Sequence, residues 1–406
     1  MVEKGLSFYK NKNVLLLQGP LGPFFRRLAL DLQDAGATVY KINLNGGDWF
    51  FSPKEAVNYT GSSDEWPSFF AEFIQKHTID VVLLFGDCRA YHRIAHTIAT
   101  NKGIDVGVFE EGYVRPDYIT FEHFGVNGFS QIPRNREFYD SLEEDDVKIP
   151  ETSQVGSTFW YAAWQAIEYY FFSALLSPVF SRYRHHRPLN IWEGAYWIRS
   201  LWRKWFYKAK EIGVEPYLIG RADHNYFLVP LQISTDAQVR EHSTFNSVEH
   251  FIERVMGSFA SHAPKKTLLV IKHHPLDRGY HDYDALINRM ASHYGISGRV
   301  FYIHDQHLPT LLDHTRGVVL INSTVGLSAI HHNAPLKACG AAIYDFEGLT
   351  YQGSLESFWQ EAERFKPDRE LYEKFRGYVV NHKQINGSFY SRLGGTDTHT
   401  GTRWPS

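Results

Sequence analysis

The sequence predicts an α/β protein built from two doubly wound domains. Its 406 residues exceed the roughly 250–300 at which a single hydrophobic core stops growing. Short β-rich runs alternate with helical stretches in two separate series, and this alternation is typical of parallel sheets covered by helices. Each series is long enough to bury its own core.

The first series lies in the N-terminal third of the chain. Its strands and helices are predicted, in order, at 14–17, 24–35, 38–42, 66–77, 81–85, 90–101 and 105–109. The second series has strands at 226–231, 268–272, 300–303, 318–321 and 336–338, with helices near 246–260, 281–294, 307–313, 324–332 and 354–363. Ligands of such sheets bind at the carboxyl ends of the strands, so residues just after each strand are the first candidates for function.

The segment between the two series has a different composition. It holds six of the ten tryptophans: Trp160, Trp164, Trp192, Trp197, Trp202 and Trp205. One apolar stripe runs along Ile191, Ala195, Ile198, Trp202, Trp205 and Ala209, and the basic residues Arg199, Arg203, Lys204, Lys208 and Lys210 lie off it. We therefore predict domains at 1–150 and 216–385, a basic amphipathic helical insertion at 151–215 and a loose, Gly-, Thr- and Ser-rich tail at 386–406.

Charge and cysteine content exclude several classes of protein. The formal net charge is −3, so the molecule as a whole is not built to bind nucleic acid or another polyanion. Two cysteines, Cys88 and Cys339, are too few for a disulfide framework and lack metal-ligand spacing. The first apolar run is four residues long, and Gln165, Glu168 and Pro178 interrupt the later apolar stretch. We expect a cytoplasmic protein.

An acidic pair follows the last strand of the first series. Glu110 and Glu111 precede Gly112, and adjacent side chains in an extended segment point in opposite directions. One carboxylate can therefore face a ligand and transfer a proton while the other braces the loop. Taken alone, the pair is equally typical of a solvated acidic loop.

Three motifs follow strands of the second series. Lys272, His273, His274 and Pro275 offer cationic and N–H donors suited to a nucleotide phosphate. Asn322, Ser323 and Thr324 offer an amide and hydroxyls at the start of a helix. Asp236, after the opening strand, is either a helix cap or a carboxylate able to attack an anomeric carbon.

Together, the order Glu-Glu-Gly, His-Pro and Ser-Thr resembles the signature of bacterial CMP-sugar transferases, including GT-B sialyltransferases. The chain is more specifically similar to the KpsS/LipB family of capsule polysaccharide proteins, from about residue 13 to 385. That similarity lies in residues 18–29, 43–51, 91–99, 109–120, 272–280, 321–330 and 344–359. The resemblance implies a GT-B fold: two Rossmann-like domains facing a cleft, with an acceptor-side domain at 1–150 and a CMP-sugar-binding domain at 216–385.

The resemblance also implies an activity. Family members are expected to be retaining β-Kdo transferases that move Kdo from CMP-Kdo to phosphatidylglycerol, which starts the poly-Kdo linker of a capsular polysaccharide. Related β-Kdo transferases carry a Gln-x-x-x-Asp pattern, matched here by Gln232 and Asp236. Asp236 is therefore the expected nucleophile, Glu110 or Glu111 the acid/base, and Lys272, His274, Ser323 and Thr324 the phosphate site.

The expected cofactors and partners follow from this activity. CMP is a monophosphate leaving group, so no metal is expected to bridge a diphosphate. The enzyme is expected to be peripheral on the inner face of the inner membrane, with Trp197, Trp202, Trp205, Arg199 and Arg203 meeting anionic lipid. The alternatives are internal packing of this segment between the domains and an interface with the poly-Kdo-extending transferase. Further expected partners are the poly-Kdo-extending transferase and the capsule export complex.

Two other functions remain open at this point. A CDP-glycerol or CDP-ribitol phosphotransferase also uses two doubly wound domains, cleft histidines and a lipid-linked acceptor. A non-catalytic capsule assembly or export adaptor could keep the fold and bind only lipid or protein. The Glu-Glu-Gly and Gln-x-x-x-Asp patterns favour glycosyl transfer.

Overall fold

The computed structural model describes residues 5–53, 55–183, 193–235 and 237–404, with the backbone alone at 193–195, Trp197, Ile198 and Ala237. Its strands are β1 (Asn13–Leu16), β2 (Thr38–Asn43), β3 (Val57–Asn58), β4 (Val81–Phe85), β5 (Asp105–Glu111), β6 (Tyr118–His123), β7 (Tyr226–Pro230), β8 (Leu268–Lys272), β9 (Val300–Ile303), β10 (Gly317–Leu320), β11 (Leu336–Ala338) and β12 (Gln384–Asn386).

The helices alternate with these strands. They are α1 (Phe24–Asp34), α2 (Gly46–Phe50), α3 (Trp66–Lys76), α4 (Ala90–Asn101), α5 (Arg136–Asp140), α6 (Glu144–Val147), α7 (Phe159–Leu175), α8 (Glu193–Lys210), α9 (Val214–Ile219), α10 (Ala237–Glu241), α11 (Val248–His262), α12 (Asp284–His293), α13 (Leu308–Asp313), α14 (Val325–His331), α15 (Leu355–Glu361) and α16 (Arg369–Lys383).

The chain forms two compact units. Unit 1 contains the described residues within Met1–Gln131, Glu143–Ile191 and Arg376–Ser406, and unit 2 those within Ile132–Leu142 and Trp192–Phe375. The predicted insertion at 151–215 is thus shared, with α7 in unit 1 and α8 in unit 2.

The sheet of unit 1 has the strand order β12-β6-β5-β4-β1-β2-β3. The five strands β1 to β5 are parallel and run 3-2-1-4-5 across the sheet, which is the doubly wound order. β6 and β12 extend one edge in antiparallel pairing. The strand order reverses between β1 and β4, and this topological switch point is where such sheets bind ligands.

Alternation along the strands explains why this sheet is covered on both faces. Val14 and Leu16 of β1 point into one apolar cluster with Phe24 and Leu28 of α1. Leu15 and its neighbour Leu17 point into the other, with residues of α3 and α4. Each cluster contains fully buried aromatic rings, Phe24 in one and Trp66 in the other.

Residues 384–404 are part of the core of unit 1, so the prediction of a loose tail is wrong. Phe389 packs against Phe24 and Phe85 with ring centroids 4.9 and 5.2 Å apart. The buried carboxylate of Asp31 accepts hydrogen bonds from the amide and hydroxyl of Thr400, at 3.1 and 2.6 Å. The small polar residues of this segment predicted a loose tail, because the sequence does not reveal that Asp31, which is distant along the chain, accepts their hydrogen bonds.

The sheet of unit 2 repeats the same topology. All five strands are parallel, in the order β11-β10-β7-β8-β9, which is again 3-2-1-4-5 from the other edge. The helix α11 starts at a Ser247 cap, whose side chain accepts from the His250 amide, and buries Phe251, Val255 and Phe259. The prediction of two doubly wound α/β halves is confirmed.

Replacement of Asp31 by alanine is expected to loosen residues 384–404 selectively. Three donors, including the His399 amide, lose a buried acceptor, which corresponds to roughly 2–4 kcal/mol. Native-state hydrogen exchange should report this as a lower opening free energy for that segment.

Asp34→Ala is the matched control, because Asp34 meets the His399 ring at 3.0 Å but its side chain is 73% exposed. Its effect should stay below about 1 kcal/mol. Equal losses in the two variants would contradict the role given to Asp31.

Candidate functional site

An amide pair bridges the switch point of unit 2. Gln232 follows β7, Asn322 follows β10, and these strands are neighbours in the sheet. The Gln232 Nε2 donates to Asn322 Oδ1 at 3.0 Å, and the backbone amide of Asn322 donates to Gln232 Oε1 at 3.3 Å. Asn322 Nδ2 also donates to the carbonyl of Gln238 at 3.1 Å. Gln232 and Asn322, both predicted to bind the sugar donor, thus hold each other in place and also hold the start of α10.

The loop after β7 is also tied to the segment after β8. The Leu231 amide donates to the Lys272 carbonyl at 2.9 Å. The amide and hydroxyl of Ser234 donate to the two carboxylate oxygens of the buried Asp277, at 3.1 and 3.0 Å. The loop leading to position 236 is therefore held from both sides. Asp236, the predicted nucleophile, lies outside the described residues.

The His-His-Pro motif contains one buried ring and one partly exposed ring. Burial lowers the pKa of His273 to about 3, and its Nδ1 lies 2.7 Å from the Tyr302 hydroxyl. His274 is partly exposed, and its Nδ1 accepts from the Leu276 amide at 3.2 Å, so its ring proton sits on Nε2. His274 Nε2–H is thus a hydrogen-bond donor. Pro275 is exposed at the turn.

Lys272 is buried beneath this motif. Its Nζ donates to the His304 carbonyl at 2.8 Å, and burial lowers its pKa. Across the same edge, the Ser323 hydroxyl accepts from the Val325 amide at 3.2 Å, and the Ser323 carbonyl accepts from the Tyr344 hydroxyl. Thr324 is the partly exposed residue before α14, and its side chain makes no cap bond.

A buried acid–histidine pair lies under the same edge and was missed by sequence reasoning. His304 follows β9, and its Nδ1 lies 2.6 Å from the Glu211 carboxylate, which also accepts from the His304 amide at 3.0 Å. Burial alone would raise the pKa of Glu211, but hydrogen bonds from His304 and Gln306 outweigh it and lower the pKa. The pair fixes the carbonyl that holds Lys272. Glu211 precedes its partner by 93 positions, so no local pattern could signal it.

In unit 1, the acidic pair has two distinct environments. The Glu111 carboxylate accepts from the Tyr390 hydroxyl at 2.8 Å. The Glu110 carboxylate accepts from the Glu111 amide at 3.0 Å, and burial raises its pKa to about 7 in spite of that bond. A carboxyl that titrates near neutral pH is suited to take or give a proton in catalysis. Glu110 is the stronger acid/base candidate.

Helix α8 packs its polar face against unit 2. Arg199 donates to the carbonyls of Gly279 and Tyr280 at 2.6 and 2.9 Å, and Arg203 donates to the Arg278 carbonyl at 2.9 Å and to Asp282 at 3.2 Å. Arg199 and Arg203, which were expected to meet anionic lipid, therefore hold the loop that follows the His-His-Pro motif instead. The outer side exposes Trp202 (63%) and Trp205 (67%), while the predicted contact Trp197 lies outside the described side chains.

Helix α7 in unit 1 is built in the same way. Its inner residues Gln165, Tyr169 and Ser173, spaced four apart, are buried and hydrogen-bonded. The outer side exposes large apolar groups, among them Phe159, Trp160, Trp164, Phe171 and Leu175. In the parts of the chain that the structure describes, no helix is long and apolar enough to cross a membrane. The same ranges contain no cluster of three or more His, Cys, Asp or Glu residues able to hold a metal.

A family model described as capsule polysaccharide biosynthesis protein matches residues 80–390. The chain belongs to this family. The capsule polysaccharide export protein KpsS of Escherichia coli is 42% identical over 93% of this chain and 97% of its own. The capsule polysaccharide modification protein LipB of Neisseria meningitidis serogroup B is 42% identical over 94% and 92%. The solved structure of the KpsC β-Kdo 2,7-transferase of Thermosulfurimonas dismutans aligns with 93% of this chain over 93% of its own length, at 14% identity and with a TM-score of 0.47.

The family match spans both sets of site residues. It begins just before β4, which precedes the acidic pair, and ends at Tyr390, which donates to Glu111. The predicted membership in the KpsS/LipB family is confirmed.

The Gln232–Asn322 pair is expected to behave as one unit. Gln232→Ala and Asn322→Ala should each lower the opening free energy of β7 and β10, and the double variant should lose less than the sum. Only the bond from Gln232 Nε2 to Asn322 Oδ1 needs both side chains, because the donor to Gln232 Oε1 is the Asn322 backbone amide. The coupling expected for this one neutral hydrogen bond is about 0.5–1.5 kcal/mol. Hydrogen exchange of the β7 and β10 amides measures all three variants.

Asn288→Ala provides the control pair. Asn288 is an exposed residue of α12 that donates to Asp284 at 2.9 Å. Combined with Asn322→Ala, it should be additive within about 0.5 kcal/mol. Additivity of Gln232→Ala with Asn322→Ala would rule out the bridge as a stabilising contact.

Proposed function

We propose that this protein is a retaining glycosyltransferase that moves Kdo from CMP-Kdo to phosphatidylglycerol, starting the poly-Kdo linker of a capsular polysaccharide. One observation carries the proposal. The His-Pro and Ser-Thr motifs, at 272–275 and 321–324, and Gln232 of the Gln-x-x-x-Asp pattern follow β8, β10 and β7, which are neighbouring strands at the switch point of unit 2. The relatives' names, capsule polysaccharide export and modification, agree with this role.

The donor phosphate is assigned to imidazole and hydroxyl donors. His274 offers Nε2–H, and the partly exposed Ser323 and Thr324 offer hydroxyls after the neighbouring β10. Hydrogen bonds to the departing CMP phosphate stabilise the negative charge that develops on it. Lys272 adds positive charge from below while its Nζ holds the His304 carbonyl. No metal is required by this arrangement.

Retention of configuration is assigned to two successive inversions. The Asp236 carboxylate attacks the anomeric carbon of Kdo, the bond to the phosphate oxygen breaks, and CMP leaves with that electron pair. The acceptor hydroxyl then gives its proton to Glu110 and attacks the same carbon, which releases the Asp236 carboxylate. Glu110 suits the second step because its pKa is about 7.

Lipid contact is assigned to the outer sides of α7 and α8. The large apolar side chains on these outer sides, such as Trp160 and Trp205, are mostly exposed, so burial within their own unit does not account for them. Trp and Tyr are suited to a membrane interface, and the exposed Lys204, Lys208 and Lys210 beside Trp202 and Trp205 add attraction to anionic lipid.

The reaction is tested with a fluorescent phosphatidylglycerol, CMP-Kdo generated in situ and the purified protein, followed by mass spectrometry. We expect one added Kdo per acceptor from the wild type and none from Asp236→Ala. The rate should rise as Glu110 loses its proton, with an acidic limb near pH 7. Glu110→Gln should lose about 10²–10⁴ in kcat, the usual contribution of a general base.

Glu111→Gln separates the two carboxylates. It replaces the charged acceptor of Tyr390 by a neutral amide oxygen and keeps Glu110, so an acidic limb should remain, at somewhat lower pH because the Glu111 charge helps to raise the pKa of Glu110. A limb that disappears in Glu111→Gln and persists in Glu110→Gln would reverse the two roles. Transfer of glycerol phosphate from CDP-glycerol, with none from CMP-Kdo, would establish the phosphotransferase instead.

Membrane binding is tested on vesicles that contain phosphatidylglycerol. The double variant Trp202→Ser with Trp205→Ser should bind at least about tenfold more weakly, because one buried aromatic side chain contributes roughly 1.5–3 kcal/mol. Lys204→Gln with Lys208→Gln should weaken binding to anionic vesicles and leave binding to neutral vesicles unchanged.

Phe129→Ser is the matched control, because Phe129 is 51% exposed but lies outside α7 and α8. It should bind vesicles as the wild type does. Unchanged binding of the α8 tryptophan variant would assign this surface to a protein partner.

A further inference from the structure

The switch point of unit 1 holds a polar cluster that the proposed reaction does not use. Gln18 follows β1, and Arg89 follows β4 as the residue before α4. The Arg89 Nη1 donates to Gln18 Oε1 at 2.9 Å and to the Gly19 carbonyl at 3.5 Å. Both acceptors are neutral, so within the described ranges no ion pair neutralises the charge of Arg89. A cation at a switch point is a candidate site for an anionic ligand.

Arg89 lies beside the acid/base candidate. A Cβ built on Gly86 would lie 3.7 Å from Arg89 Nε and 3.6 Å from Glu110 Oε2. Gly86 follows β4 with a φ of +72°, a conformation that favours glycine, and its amide donates to the Phe109 carbonyl of β5 at 2.9 Å. A guanidinium and a carboxyl therefore flank one strand end, close enough to contact two groups of the same small molecule.

A short hydrogen-bond chain joins Arg89 to helix α7. Gln18 accepts from Arg89 with its oxygen and donates with Nε2 to the Tyr169 hydroxyl at 2.9 Å. That hydroxyl donates to the buried Asp48 at 3.1 Å. Tyr169 belongs to the inner face of α7, whose outer face exposes Trp160 at 79%. The cation thus lies one amide group away from the helix assigned to lipid contact.

Neighbouring histidine and lysine side chains do not provide an equivalent anion site. Burial lowers the pKa of His92 to about 3, so its ring is uncharged at neutral pH. Burial lowers the pKa of Lys41 to about 8, and its Nζ donates to the Ile42 carbonyl at 2.7 Å. The planar donors of the Arg89 guanidinium, in contrast, match phosphate geometry.

We propose that Arg89 binds the phosphodiester of a glycerolipid acceptor and so brings the acceptor's free hydroxyl to Glu110. The proposal rests on the function proposed above, because it takes the acceptor to be a lipid with a phosphate a few bonds from the reacting hydroxyl. Arg89 holds the phosphate, Glu110 receives the hydroxyl proton, and the outer face of α7 contacts the acyl chains.

Binding is measured first without any donor. Titration calorimetry of the full chain with dihexanoyl phosphatidylglycerol, kept below its micelle concentration, is compared with dihexanoylglycerol, which lacks the phosphate. Arg89→Gln should weaken phosphatidylglycerol binding about tenfold or more, as for loss of a charge-assisted hydrogen bond, and leave dihexanoylglycerol unaffected. Arg89→Lys, which keeps the charge, should recover part of the loss.

Arg93→Gln is the matched control, since Arg93 is an exposed arginine one turn further along α4. It should bind both ligands as the wild type does. Equal losses in Arg93→Gln and Arg89→Gln, or unchanged binding in Arg89→Gln, would overturn the site. Displacement of the lipid by inorganic phosphate at the same concentration would also overturn it, because the site would then take any free anion.

Turnover separates this inference from the proposed reaction. With CMP-Kdo as donor, Arg89→Gln should raise KM for phosphatidylglycerol more than it lowers kcat. The groups that act on Glu110 are Glu111, Arg89 and Asp87, and Arg89 lowers its pKa. The acidic limb should therefore move to higher pH in Arg89→Gln. Arg89-dependent binding without any Kdo transfer would sustain the anion site and refute the proposed reaction.

Discussion

The topological switch point is the constraint on which both candidate sites depend. In each unit the strand order runs 3-2-1-4-5, so the first and fourth strands are neighbours whose following helices lie on opposite faces of the sheet. A glutamine follows the first strand in each unit, and each reaches across to the residue that follows the fourth: Gln18 to Arg89, and Gln232 to Asn322. These contacts tie together chain ends that the diverging helices would otherwise leave apart. The positions of the candidate site residues in both units depend on this strand order.

Helices α7 and α8 reverse the usual arrangement of an amphipathic helix. Polar groups at four-residue spacing face the protein, where Tyr169 and Arg203 make specific hydrogen bonds. Hydrogen bonds fix orientation more strictly than apolar packing does, because they depend on both distance and angle. Each aromatic surface is therefore held in a defined orientation to a strand edge: α7 to the Gln18–Arg89 contact, and α8 to the loop after the His-His-Pro motif. An exposed aromatic surface and a candidate site are thereby joined within each unit.

Local periodicity made most of the fold predictable. The strands and helices of both series lie within two or three residues of their predicted bounds, since each is short, regular and followed by a turn. Motif positions after strands also placed Gln232 and Asn322 at one edge. Other features depended on distant partners. The antiparallel strands β6 and β12 meet from 118–123 and 384–386, and Glu211 meets His304 across 93 positions. The sequence shows an aromatic stripe on α8 but does not show whether that stripe faces the protein or solvent. The answer depends on the groups to which Arg199 and Arg203 donate on the other side of the helix.

The return of residues 384–404 to unit 1 has a consequence for biosynthesis. Unit 2 is encoded almost entirely between the parts of unit 1, so a ribosome releases all of its strands before β12 emerges. Domains that fold as the chain emerges usually do so from the N-terminus onward. Here the N-terminal sheet stays incomplete until Tyr390 arrives to hold Glu111 and Thr400 arrives to bond Asp31. A nascent chain interrupted before residue 384 thus carries every described strand of unit 2, while the sheet of unit 1 still lacks β12 and the partners of Glu111 and Asp31.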